Sequence, residues 1–293
     1  MCLCVLILPS EKNPDLFIVG NRDEDINRPT APLSRLENGI YCGVDLVRGG
    51  TWLGAKPNSD NSSIRFAYLT NFTEPKSDHH SGTQSRGLLP MTWLSSEMDP
   101  EEFLVSQDFS NYSGMNLVIG ISYVGKEPLI YATSNRGALM NDGRFESLEY
   151  GPRGATYSVR FRSEHPSNNE PFVVALCNGS LGEDWVKVTR CEERAKTLND
   201  YSDEALLNLM QDATPSSQPL PKTGFGDEIE QLLSPMFIQP VQLLEKPYGT
   251  RTTTLIRVTP TGALYCIERN HFDGHDICVP EVPEVSSENA SVS

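Results

Sequence analysis

The first apolar run, Leu3-Cys4-Val5-Leu6-Ile7-Leu8, barely alternates and ends at a polar turn, Glu11-Lys12-Asn13-Pro14-Asp15. A short continuous run before a turn signal reads as a buried strand. Leu16-Phe17-Ile18-Val19-Gly20 is a second strand after the turn, so the two form a hairpin. The hairpin returns Asn21-Arg22-Asp23-Glu24-Asp25 towards the beginning of the first strand. Pro29 to Leu33 is extended, because residues before proline avoid the helical region. Tyr41 to Leu46 and Gly49 to Ala55 make a further strand pair around glycines that permit positive φ or close backbone approach. Arg65 to Phe72 is a strand with a polar end.

Ser85 to Leu94 opens a helical region, and a second helix starts with Asp99 as N-cap and Pro100 in the first helical position. Strands follow at Asn116 to Tyr123, Pro128 to Ser134 and Arg144 to Tyr150. Residues 152–170 are rich in Pro, Gly, Ser and Asn and are expected to be a loop or an insertion. Pro171 to Gly179 is a strand, and Asp184 to Leu198 is a helix with Trp185, Val188, Ala195 and Leu198 near helical spacing. Ser202 caps a helix running to Gln211, Thr214 to Pro221 is a linker, and Gly226 to Leu233 is a short helix. Tyr248 to Val258 is strongly β-prone and pairs with Leu264 to Arg269 across Thr261-Gly262. Residues after Pro280 are acidic and serine-rich, the composition of a disordered tail.

Strands, helices, strands, helices, strands, joined by hairpin-length connections, predict antiparallel sheets with helices grouped outside them. The expected fold class is α+β, two stacked sheets between helical layers, in one domain over residues 1–279 with a tail at 280–293. Composition changes this little: 38% of residues are hydrophobic and 22% charged, values of an ordinary globular chain. The formal charge of -15 argues against nucleic acid and anionic membranes as partners, since phosphate contacts need clustered cations. No stretch reaches the ~20 apolar residues of a membrane span. The beginning of the chain lacks the basic segment of a signal peptide. Seven cysteines at irregular spacings suggest no disulfide framework, so the expected compartment is reducing and intracellular.

The candidate chemistry begins at Cys2. A side chain this small after Met1 permits methionine removal, which would leave a thiol and a free α-amine in one residue. Such an amine titrates near ~7.7–8.0 and supplies a base at neutral pH, the arrangement of N-terminal nucleophiles. The other reading of Cys2 is the first residue of a core strand. Asn21 to Asp25 sets one cation among three carboxylates, which either orients the thiolate and ammonium at Cys2 or is a solvated turn. Asn71 ends a strand, either projecting an oxyanion donor or capping a turn, and Asn135 ends another. Trp52 reads as core. His79-His80 reads as a solvated loop, since no third ligand has metal spacing, and no metal is expected.

Several short segments together resemble a known family. These are Cys2 after Met1, Asn21-Arg22-Asp23-Glu24, Gly43-Val44-Asp45-Leu46 and Gly49-Gly50-Thr51-Trp52-Leu53-Gly54. In the same order follow Leu69-Thr70-Asn71, Ser85-Arg86-Gly87, Met115-Asn116-Leu117 and Tyr248-Gly249-Thr250-Arg251-Thr252. The chain is similar to the second transport-and-Golgi-organisation family, also called the NRDE family. That resemblance implies a four-layer αββα sandwich of the N-terminal-nucleophile hydrolase type, and more distantly a likeness to amidases that cleave penicillin V and bile-salt conjugates. Carried over residue by residue, it implies Cys2 as nucleophile and Arg22 as its electrostatic partner. Asp23 or Glu24 would orient the amine, Asn71 and Asn135 would be oxyanion donors, and Arg251 a distal supporting charge. Where the family reads Gly-Leu-Ser-Asn before a tryptophan helix, this chain reads Cys177-Asn178-Gly179-Ser180-Leu181, so no asparagine role is expected there.

The resemblance further implies an intracellular trafficking factor, handling haem or an acyl lipid and serving Golgi organisation and secretion. The alternative is an active amidohydrolase or thioesterase that forms an acyl-enzyme at Cys2. No cofactor is expected to be required, with haem a candidate cargo. The expected partner is a small-molecule ligand, haem or an acyl compound. The expected location is cytoplasmic, with mitochondrial or Golgi association and peripheral membrane contact open. Acylation of Cys2 or Cys4 is a third reading, and it would block the nucleophile.

Overall fold

The computed structural model describes residues 2–74, 82–140, 142–149, 151–162, 171–217, 219–243, 245–272 and 274–282. In chain order its first strands are β1 (Cys2–Ile7), β2 (Leu16–Asp25), β3 (Thr30–Arg35), β4 (Tyr41–Asp45), β5 (Leu53–Pro57) and β6 (Ser63–Asn71). Two helices follow, α1 (Leu88–Ser95) and α2 (Pro100–Ser106). Next come β7 (Met115–Tyr123), β8 (Leu129–Ser134), β9 (Phe145–Ser147), β10 (Tyr157–Phe161) and β11 (Val173–Leu176). After α3 (Val186–Lys196), α4 (Asp203–Leu209) and α5 (Asp227–Leu232), the chain ends in β12 (Val241–Leu243), β13 (Lys246–Val258), β14 (Leu264–Asn270) and β15 (Asp276–Val282).

One sheet has the order β11-β1-β2-β13-β14-β15, with β12 also on β13; the other runs β3-β4-β5-β6-β7-β8-β10-β9. Every strand pairing is antiparallel. Side chains of successive strand residues point to opposite faces. Cys4, Leu6, Leu8, Leu16 and Ile18 therefore enter a core between the sheets, against Leu53, Phe66, Tyr68 and Val118. Leu3, Val5, Ile7, Phe17 and Val19 point the other way, onto Val188 and Cys191 of α3 and Leu206 of α4. The second sheet does the same, packing Ala67, Leu69, Leu117 and Ile119 on Leu89, Trp93, Phe103 and Leu104 of α1 and α2. The layers are α, β, β, α. With both faces of β1 and of the first half of β2 covered, Leu3 to Ile7 and Leu16 to Val19 are apolar on both faces, and so these sequences do not alternate.

The helix starts follow local chemistry. Asp99 accepts from the Glu101 N–H and precedes Pro100, while Ser202 accepts from Ala205 N–H. Three expectations change. The loop expected over residues 152–170 contains β10, whose Val159 and Phe161 enter the inter-sheet core and whose edge pairs with β8. Its alternation is only five residues long and is hidden by polar flanks. β9 is shorter than the strand expected from Arg144 to Tyr150. β15 continues to Val282 along β14, into the segment expected to be a tail, because backbone pairing on an edge does not need an apolar sequence. Met1, His79-His80 and residues 283–293 lie outside the described residues. Among the described residues no helix is long and apolar enough to cross a membrane.

Candidate active site around Cys2

The antiparallel register of β1 and β2 sets Cys2 opposite Arg22. Period two puts both side chains on the same side as Cys4, Leu6 and Ile18, at the end of the inter-sheet space. Arg22 is buried, and its guanidinium is committed. Nη1 donates to Thr30 Oγ1 at 3.0 Å, Nη2 to Asp45 Oδ2 at 3.0 Å, and the group lies 4.4 Å over the Trp52 ring. Trp52 is thus a core residue that also forms the bed for this cation.

Asp45 is the hub of this wall. It accepts from Arg22, from Arg28 Nε at 2.6 Å and Nη2 at 3.2 Å, and from the main-chain N–H groups of Val47 and Arg48. Burial by itself would raise the Asp45 pKa, but the Arg28 hydrogen bond and the two amides overcome it and hold the carboxyl below its ordinary value. Glu24 faces the same arginines, 3.7 Å from Arg28 and 4.0 Å from Arg22.

Asp23 lies on the opposite face of β2. Its Oδ1 accepts from Thr250 Oγ1 at 2.6 Å. Burial raises its pKa, while the chain's terminal ammonium, Lys187 and Thr250 act to lower it. Arg251 sits at an irregularity where β13 shifts register against β2, and donates to Arg28 O and, at 3.1 Å, to Thr30 Oγ1. It shares Thr30 with Arg22, one hydrogen bond behind the cavity wall.

The main-chain N–H of Cys2 donates to Asn178 Oδ1 at 2.8 Å, and Asn178 Nδ2 donates to Asn71 O at 2.6 Å. Asn178 thereby ties the start of β1 to the end of β6 in the other sheet. Asn116 Nδ2 supports that loop by donating to Cys177 O and Gly179 O. This corrects the expectation of no asparagine role near Trp185: the residue is present and touches Cys2, although the surrounding motif has changed. The Asn71 side chain is exposed to the cavity and has no hydrogen-bond partner among the described residues.

Asn135 is not part of this site. Its Oδ1 accepts from Met115 N–H at 2.9 Å, and its Nδ2 donates to Phe109 O and Tyr112 O at 3.0 Å and to Ser113 O at 3.3 Å. Every polar atom of the amide holds the turn between α2 and β7, leaving no donor for an oxyanion. The expectation for Asn135 is corrected accordingly.

Cys2, Arg22, Asp23, Glu24 and Asn71 line one cavity of about 410 Å3, and Asn135 and Arg251 do not line it. Sequence reasoning named neither Asp45, Arg28 nor Arg86 for this wall, although Asp45 and Arg86 stand in motifs that carried the family resemblance. Burial pushes the Cys2 thiol up, as does the Asp23 carboxylate; the terminal ammonium, the Asp23 N–H and Arg22 pull it down, and the net direction is up. A thiol in that state needs a base beside it to become a nucleophile. Among the described residues no group of three or more His, Cys, Asp or Glu is placed to hold a metal ion.

Residues 1–273 match the family model described as Transport and Golgi organisation 2. The chain belongs to the Transport and Golgi organisation 2 family. The human Transport and Golgi organization protein 2 homolog is 25% identical, over 92% of this chain and 94% of its own. The mouse homolog is 23% identical over the same shares. Among solved structures, a mutant conjugated bile acid hydrolase from Clostridium perfringens superposes with a TM-score of 0.41 at 12% identity, covering 99% of this chain and 94% of that one. A second variant of that hydrolase gives 0.39 at 11%, covering 98% and 94%. For this member of the Transport and Golgi organisation 2 family, the αββα assignment rests on the packed layers described above.

Proposed function

We propose that the chain handles acyl compounds through Cys2, acting as an N-terminal nucleophile after removal of Met1, in the transport role its family name denotes. One observation carries this reading: the Cys2 nitrogen is already held by Asn178 at 2.8 Å, and Cys2 lines the cavity. Freed of Met1, that nitrogen is an amine whose lone pair can take the Sγ proton, the base that the raised thiol requires. Sulfur then bonds to the carbonyl carbon of an amide or thioester, and the Asn71 amide donates to the oxygen that becomes negative. The C–N or C–S bond of the substrate breaks, and the leaving group takes the proton back from the ammonium. Water adds to the acyl-enzyme thioester with the amine accepting its proton, releasing a carboxylic acid and restoring the thiol. Arg22 favours the thiolate, Asp23 favours the ammonium, and Asp45 and Arg251 keep Arg22 in place.

The test combines intact mass with an octanoyl thioester of N-acetylcysteamine. Met1 should be absent, the Cys2 peptide should carry an octanoyl group, and Cys2→Ala should lose both the adduct and turnover. Retained Met1, or turnover unchanged in Cys2→Ala, sinks the reading. Haem remains the second ligand class, favoured by the same thiol and by arginines able to meet propionates. A haem absorption band that shifts in wild type but not in Cys2→Ala, without any acyl adduct, would make haem the cargo. The proposed location is the cytoplasm in peripheral contact with Golgi or mitochondrial membranes, which imaging of the tagged chain tests.

A further inference from the structure

Glu268 is a buried carboxyl that the chemistry proposed for Cys2 does not use. On β14, Cys266 enters the core between the sheets, and period two sends Glu268 the same way. Its Oε1 accepts from the Leu33 N–H at 3.0 Å, and its Oε2 from Thr254 Oγ1 at 3.2 Å. β3 shifts register against β4 between Ala31 and Ser34, and at that irregularity the Leu33 amide turns to a carboxyl of the other sheet. An amide and a hydroxyl could be answered by a neutral side chain. A buried carboxyl is costly to ionise unless cations answer it as well.

Arg22 and Arg251 are those cations. Both donate to Thr30 Oγ1, which brings two guanidinium groups to one oxygen behind the cavity wall. Burial raises the Glu268 pKa; the Leu33 N–H, the Thr254 hydroxyl, Arg22 and Arg251 act to lower it, and the net direction is up. Packing ties the same groups together. A Cβ on Gly43 would lie 2.6 Å from Trp52 Cη2 and 3.3 Å from Glu268 Oε2, so the indole and the carboxyl lie against one bare stretch of backbone. That indole is the bed of the Arg22 guanidinium, 4.4 Å above it. Cys42, on β4, feels the carboxyl too: burial and then Glu268 push its thiol up to about 11, against a hydrogen bond with Thr51. From Arg22 the influence reaches Cys2, its partner across the ladder. Burial sets the Cys2 thiol high, and Arg22 is among the charges that pull it down.

We propose that Glu268 is a positioning residue for Cys2: its charge, set behind Arg22, draws on the field of the guanidinium and holds the thiol in its protonated, resting form until the amine takes the proton. A neutral side chain at this position releases that field onto the sulfur. The proposal rests on the reading of Cys2 as nucleophile and names how the reactivity of that site is regulated.

The test reads the thiol rather than turnover. Full-length wild type, Glu268→Gln and Glu268→Met are alkylated with iodoacetamide from about pH 5 to about pH 10, since the thiolate is the reactive form. Peptide mass spectrometry follows the rate at Cys2. The terminal amine and Asp23, which act on the same sulfur, are unchanged in every variant. β14 lies three strands from β1, about 15 Å at ordinary strand spacing, where one charge shifts a titration by about half a pH unit. The Cys2 midpoint should fall by about that much in both neutral variants. Below the midpoint the rate should rise about twofold, because the gain in thiolate is partly offset by its lower nucleophilicity. Glu268→Met, of similar length and equally neutral, gives the reading if Glu268→Gln does not fold. Thr254→Val is the structural control: it removes one hydrogen bond from Glu268 and keeps the charge, so Tm should fall while the Cys2 midpoint stays. Midpoints in the neutral variants that match wild type or rise, or an equal fall in Thr254→Val, overturn the proposal. Lowered midpoints without any octanoyl adduct in wild type would remove the acyl chemistry and leave the hold of Glu268 on the thiol standing. Octanoyl turnover with unshifted midpoints would do the reverse.

Discussion

Asn135→Ala separates a catalytic asparagine from an architectural one. The substitution removes the acceptor of the Met115 N–H and the donor shared by the carbonyls of Phe109, Tyr112 and Ser113. Phe109 O keeps a bond from Tyr112 N–H at 3.3 Å, and the Ser113 bond is the longest and only part-buried. The full penalty therefore falls on two groups, the Met115 N–H and the Tyr112 carbonyl. A buried polar group left without a partner costs about 1–3 kcal/mol, so the expected loss is about 3–4 kcal/mol. At roughly 2 °C per kcal/mol for a chain of this size, Tm should drop by about 6–8 °C. Asn135→Asp should do no better, since it keeps the acceptor but turns a carboxylate oxygen towards three carbonyls. Thermal unfolding followed by circular dichroism gives the number, and octanoyl transfer to Cys2 at a temperature well below Tm gives the activity of the same variant. Asn71→Ala, at an exposed amide with no described partner, should show the converse: an unchanged Tm and slower acyl transfer by about 100-fold, the scale of one lost oxyanion donor. If Asn135→Ala melts with wild type but abolishes transfer, the architectural assignment is wrong.

Two further outcomes follow from the charges. Asp45→Asn strips the carboxylate from buried Arg22 and should destabilise the chain by about 2–3 kcal/mol in urea titration; because the folded Asp45 pKa is below its ordinary value, its contribution is present above about pH 4 and lost as pH falls through the folded value, so the Asn variant should lack that part of the acid transition. His271 is held neutral, its pKa lowered to about 4 by burial and then by Arg269, with Asp276 opposing, and with Thr253 and Phe237 packed against the ring. The unfolded imidazole binds its proton near ~6.5, so stability should be full above that pH and decline as pH falls towards about 4; His271→Gln should flatten this window, and an unchanged pH profile would exclude His271 as its source.

How much of this could be read from the chain differs between the hairpin and the rest. The unbroken apolar runs of β1 and β2 announced strands covered on both faces, and a short turn between them forces antiparallel pairing. Cys2 opposite Arg22 was therefore available from local sequence. The caps at Asp99 and Ser202 were equally local, each needing only an amide two or three residues ahead. β10 was not legible, because its alternating residues are few and lie among loop-forming neighbours.

The fate of the asparagines was decided by tertiary structure. Asn71, Asn135 and Asn178 all stand at or just beyond strand ends and are chemically identical. One faces open cavity, one is enclosed by four main-chain groups, and one spans the two sheets to hold Cys2 from 176 positions away. An amide's role depends on which carbonyls and N–H groups are brought against it, and contacts between distant segments leave no periodic trace in sequence. The same holds for Asp45 and Arg86: their motifs marked them as members of a family, but only the packing of β4, the glycine loop and the approach to α1 against β2 showed that one accepts from Arg22 and the other donates to the Gly114 carbonyl. The chain alone specified the first hairpin, the helix caps and the nucleophile candidate, because these follow from neighbours within a turn or a ladder. Which side chains surround that nucleophile was set by the stacking of two sheets, where desolvation and hydrogen-bond partners are determined by residues far apart in the polypeptide.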